Sequence, residues 1–253
     1  MGVDAGDFDN DGDEDLLMTE LTGEGSNLYV NDGAARFRDA GALSGLGPAS
    51  LPYTGWGTAW LDYDNDGWLD NLAVNGTIIA NAAGANTGDQ ANAFPYGQRK
   101  LLFHNLGNGR FEQVADQAGA VFRLSEAGRG AAFGDVDNDG DIDVLVGNDA
   151  GPVRLLINNI GNRQHWLGLR LVGASGRDML GARVAIKRPG STVWRRVRSD
   201  GSYASASDPR VLVGLGASEE RPTVEVRWPD GRTEAWTDVA IDRWTTLAQG
   251  SGR

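Results

Sequence analysis

Asp7–Asp15 reads DFDNDGDED, Asp62–Asp70 reads DYDNDGWLD and Asp135–Asp143 reads DVDNDGDID. Carboxylates this close repel one another and raise each other's pKa unless a positive charge sits among them. Aligned, the stretches give D-x-D-N-D-G-x-x-D, with Gly12, Gly67 and Gly140 at the sixth position. The first six positions follow the start of an EF-hand loop, where oxygen ligands at positions 1, 3 and 5 precede a turning Gly. Asn10, Asn65 and Asn138 precede the third ligand, and Asn tolerates the tight backbone needed there. Position 7 is Asp13, Trp68 and Asp141, so a ligand from that position has to be its backbone carbonyl. The last carboxylate comes at position 9 (Asp15, Asp70 and Asp143) instead of position 12. The candidate ligands are Asp7, Asp9, Asp11, Asp13 and Asp15, then Asp62, Asp64, Asp66, Trp68 and Asp70, then Asp135, Asp137, Asp139, Asp141 and Asp143. The ion they imply is Ca2+, about three per chain.

The flanks decide the scaffold. GTAWL (57–61) and GAAFG (130–134) precede two of the loops, and LLM (16–18), NLAV (71–74) and VLVG (144–147) follow them. These are short runs bounded by Gly and Asn, which read as strands and argue against an EF-hand pair or a dockerin. Each loop is followed by a second unit: LYVNDGAARF (28–37), LFHNLGNGRF (102–111) or LLINNIGNRQHW (155–166). Strand, Asn/Gly turn and strand is a hairpin pattern. Four strands per repeat, at spacings of 55 and 73 residues, is the size of a propeller blade. An Asn/Ala/Gly-rich insertion at Gly76–Gly97 accounts for the longer spacing.

These repeats resemble the FG-GAP/VCBS repeats of integrin-type propellers. The segments HWLGLRLVG, LGARVAI, RRVRSDGSYASASDPRVLVGLG and VEVRWPDG resemble the ASPIC/UnbV domain. Together the two resemble the cartilage acidic protein-like family. The resemblance implies calcium loops in the blades and an all-β chain: a partial β-propeller of about three blades followed by a small β-sandwich or barrel. A closed propeller takes roughly four to eight blades, so three point to part of a longer protein, or to several chains completing a ring.

Composition supports two domains. The chain has 253 residues and a formal charge of −12. The three loops hold 15 of its 35 acids, so the acidity is local. Residues 1–164 carry 25 acids and 9 bases, whereas 165–253 carry 10 acids and 14 bases. The expected division is therefore 1–164 for the blades and 165–253 for the C-terminal β domain. There is no cysteine, hence no disulfide or thiolate chemistry. No apolar run is long enough for a membrane-spanning helix, and no leader is legible behind Met1.

In the C-terminal part, WLGLRL, ARVAI, VWRRVR, VLVGL, TVEVRW and RWTTLA alternate as six to eight short strands. Within VWRRVR, Trp194, Arg196 and Arg198 share one face, which reads as a solvated surface whose Arg stems cover a Trp. SDGSYASASDPR (199–210) reads as a turn-rich connection. A charge of +4 over this half is too weak for nucleic acid, and no recognition module is legible.

Catalysis has no clear signature. His104 and His165 fall in hairpin segments, and His104 aligns with Val30 and Asn158, so its slot does not demand imidazole. No G-x-S-x-G elbow, H-E-x-x-H or P-loop is present. Paired acids can serve a glycosidase, but a catalytic pair needs no triplication. The expectation is a non-catalytic, calcium-stabilised module that binds a protein or glycan outside the cytoplasm. The alternative is an enzyme or accessory protein of bacterial natural-product biosynthesis, which the UnbV resemblance implies.

Overall fold

The computed structural model describes residues 1–34, 36–80 and 95–253. The insertion at 76–97 falls mostly on residues 81–94, outside the described residues, though a bridge between Gly76 and Gly97 joins its two ends.

Among the described residues the strands form five sheets. The first sheet runs in sequence order through β1 (Val3–Gly6), β2 (Asp15–Met18), β3 (Asn27–Asn31) and β4 (Phe37–Asp39). The second runs likewise through β5 (Gly55–Leu61), β6 (Asp70–Asn75), β7 (Leu101–Asn105) and β8 (Phe111–Gln113). The third has three strands, β9 (Gly128–Gly134), β10 (Asp143–Asn148) and β11 (Arg154–Leu156). Up-and-down order with the acidic loop between the first two strands is blade architecture. In every blade the loop is the connection that closes an antiparallel pair: Gly6 faces Asp15, Leu61 faces Asp70 and Gly134 faces Asp143.

The blades stack through their faces, with β5 lying against β1 on one side and β9 on the other. Phe8, Leu17, Leu28, Trp60, Leu101, Phe103 and Phe111 fill the space between the first two. Leu61, Leu72, Val74, Leu102, Phe122, Phe133, Val144 and Val146 fill the next. A blade strand with apolar residues on both faces is therefore a blade with two neighbours, as in the wholly buried β6.

The remaining seven strands are β12 (His165–Val172), β13 (Arg183–Arg188), β14 (Ser191–Arg196), β15 (Val211–Gly216), β16 (Thr223–Arg227), β17 (Thr233–Trp236) and β18 (Trp244–Ala248). They pair as β15-β12-β18, with β12 and β18 parallel, and as β14-β13-β16-β17. One core takes Leu167, Leu169, Val213 and Leu247 from the first sheet and Val184, Ile186, Val193, Val224 and Val226 from the second. The sheets therefore face each other as a sandwich. β12 follows β11 after a 3-10 turn at Gly161–Arg163 and begins with His165. That residue lies in the sandwich and not at a blade edge, and it bonds Asp242 at 2.8 Å.

Candidate metal centres

The three loops share one backbone. Asn10, Asn65 and Asn138 adopt φ of 58°, 56° and 62°, the left-handed region that a β-branched residue avoids. The following Gly12, Gly67 and Gly140 sit at φ of 100°, 95° and 97°. This double turn brings the Gly N–H back onto the position-1 carboxylate, donating to Asp7 at 3.1 Å, Asp62 at 2.9 Å and Asp135 at 3.0 Å. The Asn side chains also link the loops in series. Asn10 donates to the Gly67 carbonyl at 3.2 Å, and Asn65 to the Gly140 carbonyl at 2.8 Å.

The position-9 aspartates hold three strands together. Their Oδ1 atoms accept the N–H of Asn31, Asn105 and Asn158 at 2.8, 2.7 and 2.8 Å. Their Oδ2 atoms accept the N–H of Phe8, Tyr63 and Val136 at 3.4, 3.1 and 2.8 Å. These bonds fix the register between repeats. Asn158 corresponds to Asn105, so the counterparts of His104 are Val30 and Ile157; the sequence alignment with Asn158 is off by one.

Ligand atoms of Asp7, Asp9 and Asp15 lie within 4.8 Å of one another, as do those of Asp62, Asp64 and Asp66, and those of Asp135, Asp137 and Asp143. A fourth group joins Asp64 and Asp70 to His104. Asp11 and Asp139 fall outside these side-chain groups, which do not bear on the position-7 residues Asp13, Trp68 and Asp141, expected to ligate through their backbone carbonyls. The N–H groups of Asp13 and Trp68 turn onto the position-5 carboxylates at 2.9 and 2.8 Å. The Asp141 carboxyl is buried and accepts the Asn162 N–H at 3.0 Å.

The site chemistry is that of anions short of a partner. Burial pushes Asp7 and Asp70 up to about 6, and Asp15 and Asp141 to about 7. Burial, then the charges of Asp70 and Asp66, raises Asp62 well above the usual carboxylate range. Buried oxygens of Asp7, Asp9, Asp64 and Asp141 have no hydrogen-bond partner. An unpaired buried carboxylate oxygen is costly, and a hard cation with oxygen ligands relieves it. The donor set therefore fits a divalent ion such as Ca2+.

The surroundings of the loops were not legible in the sequence: the sandwich is applied directly to all three. On the first, Arg183 donates to the Gly12 carbonyl at 2.7 Å, Arg195 to the Asp7 carbonyl at 3.4 Å, and Arg196 pairs with Glu14 at 2.8 Å. Arg198 pairs with buried Asp4 at 2.6 Å, just before that loop. On the second, Gly214 donates to Asp62 at 3.2 Å and Gly216 to the Asn65 carbonyl at 2.8 Å. On the third, Trp244 donates to Asp135 at 3.1 Å, and Arg210 to Asn138 and the Asp135 carbonyl, both at 2.7 Å. VWRRVR is thus no solvated face but the docking edge against the first loop. SDGSYASASDPR is a strap: Val3 of β1 donates to the Ser202 carbonyl at 3.4 Å, while Ser202 and Asp208 bond the Ala131 and Phe133 carbonyls of β9. It thereby joins the first blade to the third.

These contacts leave a cavity of about 150 Å³ between blades and sandwich, bordered by Asp4, Asp7, Trp60, Arg195 and Arg198. Among the described residues no helix is long and apolar enough to cross a membrane.

Comparison with known proteins agrees with this anatomy. The FG-GAP-like repeat model matches residues 7–73 and 91–146, and the ASPIC and UnbV model matches 173–253. Cartilage acidic protein 1 of Homo sapiens is 26% identical over 238 residues, covering 91% of this chain and 33% of its own length. Cartilage acidic protein 1 of Mus musculus is 26% identical, with 91% and 34% covered, and that of Xenopus tropicalis 25%, with 91% and 34%. The chain spans about a third of the length of these relatives. With its three loop-bearing blades and the sandwich docked on them, the chain carries FG-GAP-like repeats followed by an ASPIC and UnbV domain, and it is homologous to cartilage acidic protein 1.

Proposed function

We propose that this chain is a non-catalytic binding module whose blades are held by about three Ca2+ ions, working outside the cytoplasm on a protein or glycan partner. The observation that carries the reading is the set of buried, unpartnered carboxylate oxygens in the loops. Ligation falls to the aspartates at positions 1, 3, 5 and 9 and to the carbonyl at position 7, with the blades as one domain (1–164) and the sandwich as a second (165–253). Each ion joins the first two strands of a blade and neutralises a loop on which the sandwich rests, so its work is mechanical. Extracellular calcium modules bind at roughly 10⁻⁴–10⁻³ M, which suits a calcium-rich medium. At tenfold over such a Kd each site contributes ~1.4 kcal/mol, or ~4 kcal/mol for three.

The test is calorimetric titration of EDTA-stripped protein with Ca2+ and Mg2+, with a thermal melt of each form. About three Ca2+ per chain and a melting temperature higher by roughly 8–16 °C are expected. A folded protein that binds no Ca2+ overturns the reading and leaves the aspartates to a partner or to catalysis.

A further inference from the structure

The three repeats act as controls for one another, and one slot differs in kind. Immediately before the Asn that bonds the position-9 aspartate stand Val30 in the first blade, His104 in the second and Ile157 in the third. Two aliphatic residues show that the fold needs no polar group there. His104 faces two carboxylates. Its Nδ1 is buried and makes no hydrogen bond of acceptable geometry, although Asp70 Oδ1 lies at 3.3 Å and Asp64 Oδ2 at 3.4 Å. The edge of the ring packs against Tyr63, with centroids 6.0 Å apart.

Those separations are long for N–H···O bonds, which centre near ~2.9 Å. They are ion-pair distances that also match the edge of a metal polyhedron. Zinc–nitrogen and zinc–oxygen bonds of ~2.0–2.2 Å at a tetrahedral angle hold two ligand atoms ~3.4 Å apart. Asn105 N–H occupies one lone pair of Asp70 Oδ1 and leaves the other available. The unpartnered Oδ1 of Asp64 gives that carboxylate a second free donor. The second loop is also the one with the fewest acids, four against six and five in the others. Calcium takes oxygen ligands, whereas imidazole favours first-row transition ions.

We propose that the second loop is a mixed nitrogen–oxygen site, in which His104 Nδ1, Asp64 and Asp70 hold a transition-metal ion of the Zn2+ or Mn2+ class in preference to Ca2+. The inference rests on the reading that the acidic loops bind divalent cations, and it assigns the second a different ion from the first and third. Asp64 belongs both to the His104 group and to the group with Asp62 and Asp66, so Zn2+ and Ca2+ compete there for one carboxylate.

The test uses the whole chain, with Zn2+ and Mn2+ as probes. Calcium-loaded protein is titrated with Zn2+, and pulsed electron paramagnetic resonance of bound Mn2+ reads nitrogen coupling directly. One Ca2+ per chain is displaced, and one Mn2+ shows imidazole coupling. His104→Val, which installs the side chain of Val30, abolishes the coupling and weakens Zn2+ by roughly tenfold or more, while the first and third loops keep their Ca2+. Val30→His builds a second nitrogen donor and gives a second coupled Mn2+. Binding of Ca2+ and Mn2+ without nitrogen coupling overturns the inference alone, leaving His104 as a counter-ion to Asp70. Failure of every ion to bind overturns the calcium reading with it.

Discussion

Gly214→Ala tests whether the sandwich bears on the second loop. A Cβ at Gly214 would stand 2.3 Å from the Asn65 carbonyl carbon, 2.4 Å from its Cα and 2.4 Å from Asp62 Oδ2. Ordinary contacts are 3.4–4 Å, so the strand has to retreat by more than about 1 Å. Two of the three obstacles are backbone atoms of a residue held at φ 56°, which leaves little room to yield. Retreat breaks the Gly214 N–H bond to Asp62 and the Gly216 N–H bond to the Asn65 carbonyl. Losing them costs ~1–3 kcal/mol for the carboxylate contact and ~1 kcal/mol for the other. The overpacking itself adds ~1–3 kcal/mol. The sum, about 5 kcal/mol, corresponds to a fall of roughly 10–20 °C in melting temperature for a chain of this size. Scanning calorimetry in saturating Ca2+ reads it. Gly147→Ala is the control: its Cβ meets nothing closer than 3.9 Å, and a change within ~0.5 kcal/mol is expected. A Gly214→Ala protein that melts like the control would refute the docking described here.

Other perturbations separate the remaining interactions. Glu126→Ala strands the buried Lys100 ammonium, which it meets at 2.7 Å, and should cost ~3–5 kcal/mol by urea denaturation. Arg154→Ala removes only the more exposed partner, at 2.8 Å, and should cost ~1 kcal/mol or less. The buried aspartates set a pH dependence in EDTA. With Asp7 and Asp70 raised to about 6 and Asp15 and Asp141 to about 7, the folded state holds protons that the unfolded chain, titrating near ~3.9, has released. Stability should therefore fall as pH rises from about 4 to 7, and saturating Ca2+ should flatten the slope; a metal-free protein that gains stability over that window contradicts the burial argument. Asp139→Ala should lower the melting temperature in Ca2+ and hardly change it in EDTA, whereas equal losses in both would count against ligation through the third loop.

Arginines of the sandwich lie on the first and third loops and the backbone of β15 on the second, while Asp11, Asp66 and Asp137 stay exposed. Arg183 on the Gly12 carbonyl and Arg210 on Asn138 occupy the outer ends of the series in which Asn10 and Asn65 each reach the next loop. The sandwich thus terminates the row of loops at both ends.

Sequence alone determined the repeat, the strand-loop-strand scaffold and the all-β class. Those properties are local: an Asn in left-handed backbone, a turning Gly and carboxylates at alternate positions dictate a loop within nine residues, whatever surrounds it. Tertiary structure alone decided which carboxylates come together, that the position-9 aspartates pin a third strand, and that His104 enters the second loop. LYVN (28–31), LFHN (102–105) and LLIN (155–158) align without a gap and set His104 against Val30 and Ile157, not Asn158, the register that the hydrogen bonds of Asn31, Asn105 and Asn158 also show. The docking of the sandwich was likewise invisible. Arg183, Arg195 and Arg210 are separated from their loop partners by 72 to 188 positions, and an exposed arginine and one buried against a carbonyl are identical in a sequence. Alternation records which face of a strand is apolar, but what a charged edge meets depends on how two folded sheets are brought together.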